Sequence, residues 1–252
     1  MSVTASAIPG LPEITPGDDL ATLIAEHGAP LLAPGAVICV AQKLVSKAEG
    51  RTVALADVTP TPLAISLANA RGDRGDARHV QVILDESEEL LRAERGVLIC
   101  RTRHGFVCAN AGVDRSNAPP GTAILLPLDP DASARRLRAT IQRRSGLAPL
   151  AVIVTDSFGR AWRRGQVDTA IGVSGIAPLA PPATGEADRG GRPLVATVPA
   201  VADELAALSN LARRKDDGGG VVVVTGVADQ LTGDDGPGAA ALVRPLTDDL
   251  FR

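Results

Sequence analysis

The sequence predicts a mixed α/β (α+β) protein, and three observations predict it. Apolar runs of strand length at residues 37–41, 150–155 and 221–224 alternate with longer segments whose apolar residues recur at helical spacing. At 252 residues, with 45% hydrophobic and 22% charged, the chain can bury a real core as one large domain or two small lobes. Aromatic residues make up only 2%, with Trp162 the sole tryptophan and no tyrosine, so Ala, Val, Leu and Ile must build that core.

Taken in order, Asp18 and Asp19 stand where a helix can start, and Leu20, Leu23 and Ile24 follow at helical spacing. Residues 37–41, VICVA, read as a buried strand. Residues 80–92 are expected as one amphipathic helix with Val82, Ile83, Leu90 and Leu91 on its apolar side. Residues 97–100 and 105–109 are expected as paired strands about a turn at Arg103 and His104. A helix over 132–144 is capped by Asp129 or Asp131 and stopped by Gly146. Residues 150–155 predict a strand that ends on a turn, TDSFGRAWRRGQ, at 155–166. Beyond it come a helix over 198–211, a mobile connection at 213–220, a central strand at 221–224 and a short helix at 237–243. The Arg-Gly-Asp repeat at 71–76 reads as a polar loop, and no internal repeat stands out.

The chemistry concentrates where strands stop. At the end of the 150–155 run the chain presents Asp156, Ser157, Arg160 and Arg163, a set suited to holding a hard metal ion beside phosphate oxygens. A solvated turn after a core strand is the competing reading of that segment. A second acid, Asp114, ends the apolar stretch at 104–113, and two carboxylates from separate segments can converge on one magnesium or manganese ion. Asn117 adds an amide able to hydrogen-bond a nucleotide, and Pro119 and Pro120 stiffen the exit of that loop. A third segment carries Lys43, Ser46 and Lys47 after the 37–41 strand, two cations about one hydroxyl, although taken alone it reads better as an ordinary surface turn.

Six blocks, IPGLPEITPGDDL, VSKAEGR, HGFVCANAGVDRSN, DSFGRAWRRGQVDTAIGVSGI, VADELAALSNL and GPGAAALVRPLTDDLF, fall in order along nearly the whole length of the chain and resemble the coenzyme F-420-0 gamma-glutamyl ligase family. Those enzymes add glutamate to the lactyl-phosphate end of a deazaflavin coenzyme. The resemblance implies a two-lobed gamma-glutamyl ligase-type fold, neither P-loop nor Rossmann, filling residues 1–252 as one domain of two intertwined lobes. It also implies a homodimer with the site near the subunit boundary, and no fused C-terminal reductase domain. By the same resemblance Asp114, Asp156 and Ser157 sit at a pair of divalent ions, Mg2+ or Mn2+, with K+ left open as a further cofactor. Gln42, Lys43, Lys47 and Asn117 are implied to contact GTP, and Ile8, Pro9, Gly10 and Leu11 to pack on the guanine side. Thr225 and Gly226 occupy the place where the family usually carries an Arg-Gly pair beside the nucleotide. Threonine cannot replace that charge, and Asp229 and Gln230 offer oxygen ligands instead. The tyrosine-free loop at 181–193 departs from the family too, where an aromatic is usual.

The reaction implied can be rebuilt from its groups. A carboxylate must be activated before an amine can attack it, and phosphoryl transfer from GTP would give an acyl phosphate. The amine of L-glutamate then displaces phosphate, with GDP as the other product. Cations clustered on the transferring phosphoryl group would carry most of the catalysis. Arg160, Arg163 and Gln166 are expected as phosphate or substrate clamps from their nearness to Asp156.

Several function classes are excluded. A net charge of −3 and scarce aromatics argue against nucleic-acid binding, and the arginines at 135–144 read as a solvated helix face. There is no GxxxxGK(S/T) run for a P-loop. Cys39, Cys100, Cys108 and the histidines His27, His79 and His104 lack zinc-ligand spacing, and the three cysteines read as buried apolar residues of a reducing compartment. No run reaches the ~20 apolar residues of a membrane span and no charged leader precedes the first apolar stretch, so a cytoplasmic location is expected. Two rival functions stay open: an amide ligase acting on another acid, and a non-catalytic nucleotide-binding regulator.

Overall fold

A computed structural model describes residues 2–72, 75–181, 189–192, 197–213 and 219–249. The centre of the molecule is a five-stranded sheet in the order β1 (Thr4–Ala7), β10 (Val221–Thr225), β2 (Val37–Ala41), β8 (Ala151–Arg160), β9 (Arg163–Ser174). Only β2 and β8 run parallel; the other neighbours are antiparallel. Strands buried on both faces need apolar residues at every position, which is why VICVA, LAVIV and VVVV show no polar alternation.

Alternate residues of those strands feed two cores. Ile38, Val40, Val152 and Val154 face α1 (Leu20–His27) and α5 (Pro130–Ser145), through Leu20, Ile24, Leu137 and Ile141. Val37, Cys39, Ala151, Ile153, Val222 and Val224 face α6 (Val201–Ala212), through Ala202, Leu205 and Ala206. Both predicted starts hold: Asp19 accepts from the Thr22 amide at 3.1 Å and Asp129 from the Ala132 amide at 2.8 Å. Gly146 closes α5 in the left-handed region at φ 70°. Asp131, on the first turn of α5, ties three elements together, since its Oδ1 accepts from the amides of Val173 and Ala239 at 2.7 Å each.

A third apolar cluster lies between these elements in sequence. It joins α3 (Pro62–Ala70) and α4 (Ala77–Asp85) to the sheet β4 (Ser87–Glu94), β5 (Val97–Thr102), β6 (Val107–Ala109), and to β7 (Thr122–Ile124), which pairs with β3 (Thr52–Ala54).

Three expectations are corrected. The helix expected over 80–92 stops at Asp85, and Leu90 and Leu91 belong to β4, which pairs antiparallel with β5. The turn expected at 155–166 is regular structure: β8 continues to Arg160, reverses at Ala161 and Trp162, and returns as β9. Helix 237–243 is reduced to a single 3-10 turn, Ala239–Leu242. The strands about Arg103 and His104 and the helix ending near residue 211 stand as expected. Most of the connection at 213–220, the 181–193 loop and the centre of the 71–76 repeat lie outside the described residues. No helix among the described residues is long and apolar enough to cross a membrane.

Candidate functional site

The site begins where β2 stops. Its last residue, Ala41, pairs with Thr155, and Gln42 already starts helix α2 (Gln42–Ala48), so β8 runs on from Asp156 with its β2-side edge bare. A cavity of about 1260 Å³ opens against that edge. Its wall comes from α2, from the loop 108–119, from β8 and β9, and from the end of α6 with Gly219 and Gly220.

Eight expected site residues meet there: Gln42, Lys43, Lys47, Asp114, Asn117, Asp156, Ser157 and, on β9, Gln166. Asp114 is held by its own backbone, which exchanges both hydrogen bonds with Ile124 at 3.0 and 2.8 Å as a single bridge. The approach to it is locally strained: Asn110, Ala111 and Asn117 all have positive φ, between 52° and 56°. The Asp114 carboxylate accepts from Lys43 Nζ at 2.6 Å and from the amide and hydroxyl of Ser116 at 2.7 and 2.9 Å. Burial works to raise this carboxyl, and the Lys43 and Ser116 contacts outweigh it and hold it below the usual carboxylate range.

Asp156 has the opposite balance. Burial pushes its carboxyl up to about 7, against the pull of the Ser157 amide and Lys43, and the negative charges of Asp168 and Asp114 add to the rise. A carboxylate in that position lacks positive charge. Lys47 is buried and pairs with Glu13 at 2.5 Å. Gln42 is buried at 1% exposure; its Oε1 accepts from Ser46 at 2.8 Å, and its Nε2 has no protein partner.

Two residues that sequence reasoning missed complete the wall. Asp168, on β9 opposite Ser157, is 1% exposed and accepts from Ser157 Oγ at 2.5 Å and Thr155 Oγ1 at 3.1 Å. Arg213, just past α6, pairs with Asp168 and donates to Thr155 Oγ1 at 2.7 Å. Asp168 was hidden because a carboxylate in a strand reads as solvent-facing until the partner strand is known. The register of a hairpin over 155–170 would have exposed it.

The other expected residues lie elsewhere. Arg160 and Arg163 sit exposed at the hairpin tip, outside the cavity wall, and Arg160 donates to the carbonyl of Arg164 at 2.9 Å. Ile8 is wholly buried in the core, its amide bonded to Val221 O at 2.9 Å, while Pro9 and Gly10 are exposed and Leu11 packs on the same core. Thr225 and Gly226 are displaced for a topological reason. β10 runs antiparallel to β2, so its start, beside Gly220, meets the cavity end of the sheet and its finish lies at the opposite end. Gly226 answers to packing there: at φ 89°, a Cβ would fall 2.0 Å from Ser2 O. Asp229 and Gln230 bond to each other at 3.0 Å, also outside the cavity wall.

The donor set is oxygen-rich and hard. Among the described residues no group of three or more His, Cys, Asp and Glu forms a metal cage, so a cation at Asp114 and Asp156 would draw its remaining ligands from hydroxyls, water and phosphate. A magnesium-like ion fits such a set, because it is usually bound by one or two carboxylates plus substrate phosphates.

The chain matches a model of the family described as F420-0:Gamma-glutamyl ligase over residues 10–226. It is 41% identical to the coenzyme F420:L-glutamate ligase of Methanothermobacter thermautotrophicus, over 100% of both chains. It is 43% identical to the enzyme of that name from Methanopyrus kandleri, over 95% of this chain and 94% of the other. For Halobacterium salinarum the identity is 45%, over 87% and 85%.

Proposed function

The chain belongs to the F420-0:gamma-glutamyl ligase family, is therefore a ligase, and from that premise we propose that it joins L-glutamate to the carboxylate of a deazaflavin coenzyme precursor in the cavity beside β8. One observation carries the placement: Asp114 and Asp156, from segments far apart in sequence, share one cavity wall with Lys43 and Lys47. Two like charges and two cations around a space of that size suit a polyphosphate substrate accompanied by metal.

In this reading GTP is the phosphoryl donor. The acceptor carboxylate attacks the γ-phosphorus and the bond to GDP breaks. The glutamate amine then attacks the acyl carbon of the resulting acyl phosphate, phosphate leaves with the bonding electrons, and the amine proton passes to solvent. Lys43 can follow the phosphoryl charge, since its side chain is only 24% exposed and its ammonium already balances Asp114. The Gln42 carboxamide brings an unused donor to the wall, and Asn117 lies at the cavity rim beside it. Asp114, Asp156 and Ser157 are the residues that would hold Mg2+ or Mn2+. Such ions, when bound, neutralise phosphate charge and orient the transferring group. Arg160, Arg163 and Gln166 belong to one hairpin, with Gln166 opposite Gly159; the two arginines reach the substrate only if it extends along the arm. Successive glutamate additions, a bound K+, a homodimer, a two-lobed division of the chain and a cytoplasmic location complete the proposal. The separate apolar cluster about α3 and α4 supports the division.

The test is mass spectrometry of the protein incubated with deazaflavin precursor, L-glutamate, GTP and manganese. Growth of the precursor by one or more glutamyl units, dependent on GTP and metal, is the expected result; an unchanged precursor overturns the reading. Asp156→Asn is expected nearly to abolish turnover while the fold stays intact, because a neutral amide is a poor ligand for a hard cation. Full activity in that variant removes Asp156 from the site.

A further inference from the structure

Four carboxylates border the cavity; Glu13 is paired with Lys47, and the hydrogen bonds separate the three aspartates. Asp114 and Asp156 are half-buried and open to the cavity, whereas Asp168 is 1% exposed and engaged by three protein donors. A carboxylate has about four lone-pair sites. Asp168 spends one on Ser157 Oγ at 2.5 Å, one on Thr155 Oγ1 at 3.1 Å and a third on the Arg213 guanidinium. Three of its sites are thus taken by protein donors, and at 1% exposure the carboxylate offers almost no surface to a ligand in the cavity.

The directions of those bonds matter as much as their number. An ionised carboxylate only accepts, so the Ser157 and Thr155 hydroxyl protons both point at Asp168. Thr155 is then closed off, because its oxygen accepts from Arg213 Nη2 at 2.7 Å. Ser157 is not: it is exposed at the cavity wall, and with its proton committed it can present only lone pairs. A free serine hydroxyl could turn its proton outward and repel a cation. This one cannot do so while Asp168 is charged.

We infer that Asp168 is a positioning residue: with Arg213 as its counter-charge, it fixes the Ser157 hydroxyl as an acceptor-only ligand for the divalent cation held by Asp114 and Asp156, without touching that cation itself. Arg213 sets a guanidinium directly against the buried Asp168 carboxylate. The pair also joins α6 to the β8–β9 hairpin, so the orientation of one hydroxyl is anchored in two core elements. The inference rests on the proposed cation site, and its effect should resemble that of other groups that orient a metal ligand, a loss of ~10- to 100-fold in metal affinity.

A double-mutant cycle on the full chain tests it, with manganese(II) binding in the presence of GDP read by the electron paramagnetic resonance signal of the free ion. Ser157→Ala and Asp168→Asn are each expected to weaken manganese binding ~10-fold or more, and Asp168→Asn made in the Ser157→Ala background should weaken it no further. Multiplying losses would overturn the inference, because Asp168 would then act on the metal directly. Unchanged affinity in Asp168→Asn would overturn it too, leaving the residue a purely structural role. If Asp168→Asn leaves Arg213 as an unpaired buried charge and the chain fails to fold, Asp168→Asn with Arg213→Gln removes both charges together and is read in the same cycle. No manganese binding by the wild type would overturn the cation site and this inference with it; binding with multiplying losses overturns the inference alone.

Discussion

His79 shows how far a single side chain can set the response to acid. It is 8% exposed on α4 and its Nε2 has no protein partner, so burial first, then the positive charges of Arg115 and Arg71, lower its pKa to about 4 against the opposing pull of Asp76 and Asp114. The folded protein therefore keeps it neutral while the unfolded chain protonates it near pH 6.5. The unfolded state binds more protons between those values, so stability attributable to His79 is complete above about pH 6.5 and is lost as pH falls toward 4, by about 3 kcal/mol in all. Asp156 and Asp203, whose carboxyls are raised by burial, act with the opposite sign as the pH drops. The measurement is thus a difference: denaturant unfolding of wild type and His79→Asn from pH 7 to 4, with the variant expected to lose less. Curves that stay parallel across the window would mean that His79 is not held neutral. The acids and cations of the site were legible in sequence because Asp114, Asp156, Lys43 and Lys47 each follow an apolar run at its polar end. Asp168 and Arg213 were not, since their roles exist only once a register and a helix end are fixed.

Elements were legible where a cap or an unbroken apolar run marked them. Asp19, Asp129 and Gly146 bounded α1 and α5 as expected, and the three buried parallel-type runs became β2, β8 and β10. The failures have more than one cause, and the first is a periodicity too short to choose between helix and strand. Leu90 and Leu91 continue a helical stripe on paper, but Ser87 turns back to bond the Ile83 carbonyl at 2.5 Å and the chain leaves as β4 along β5. The arginine-rich run after Asp156 looked like a loop because its residues are polar, as those of an arm paired on one side and wet elsewhere must be. Packing between elements is tight where glycine permits it: at Gly172 on β9, a Cβ would fall 2.2 Å from the backbone carbonyl of Pro130 at the start of α5. Gly172→Ala is accordingly expected to destabilise the protein by about 1–3 kcal/mol, the usual cost of overpacking, and a thermal midpoint equal to wild type would show that α5 can move aside.

Across the whole molecule, two of the three free cysteines, Cys39 and Cys100, report on separate cores. Cys39 lies between the main sheet and α6, Cys100 in the cluster about α3 and α4, and Cys108 at the cavity wall. Burial pushes the Cys39 and Cys108 thiols up to about 12 and raises Cys100 as well, so none is a ready nucleophile in the folded state. Labelling by a thiol reagent at pH 8 should therefore follow opening of the structure. Cys39 and Cys100 labelled at one common rate would mean that the main sheet and the α3–α4 cluster open together; Cys100 labelled first would mean that the second cluster opens alone. The bared edge of β8 carries a further consequence. Beyond Thr155 each alternate peptide of the strand points its amide away from β9, toward the cavity instead of a neighbouring strand. In deuterated water those amides should exchange quickly between slowly exchanging neighbours, a two-residue comb along 156–160. A ligand that fills the cavity should slow the fast teeth and leave the slow ones as they were.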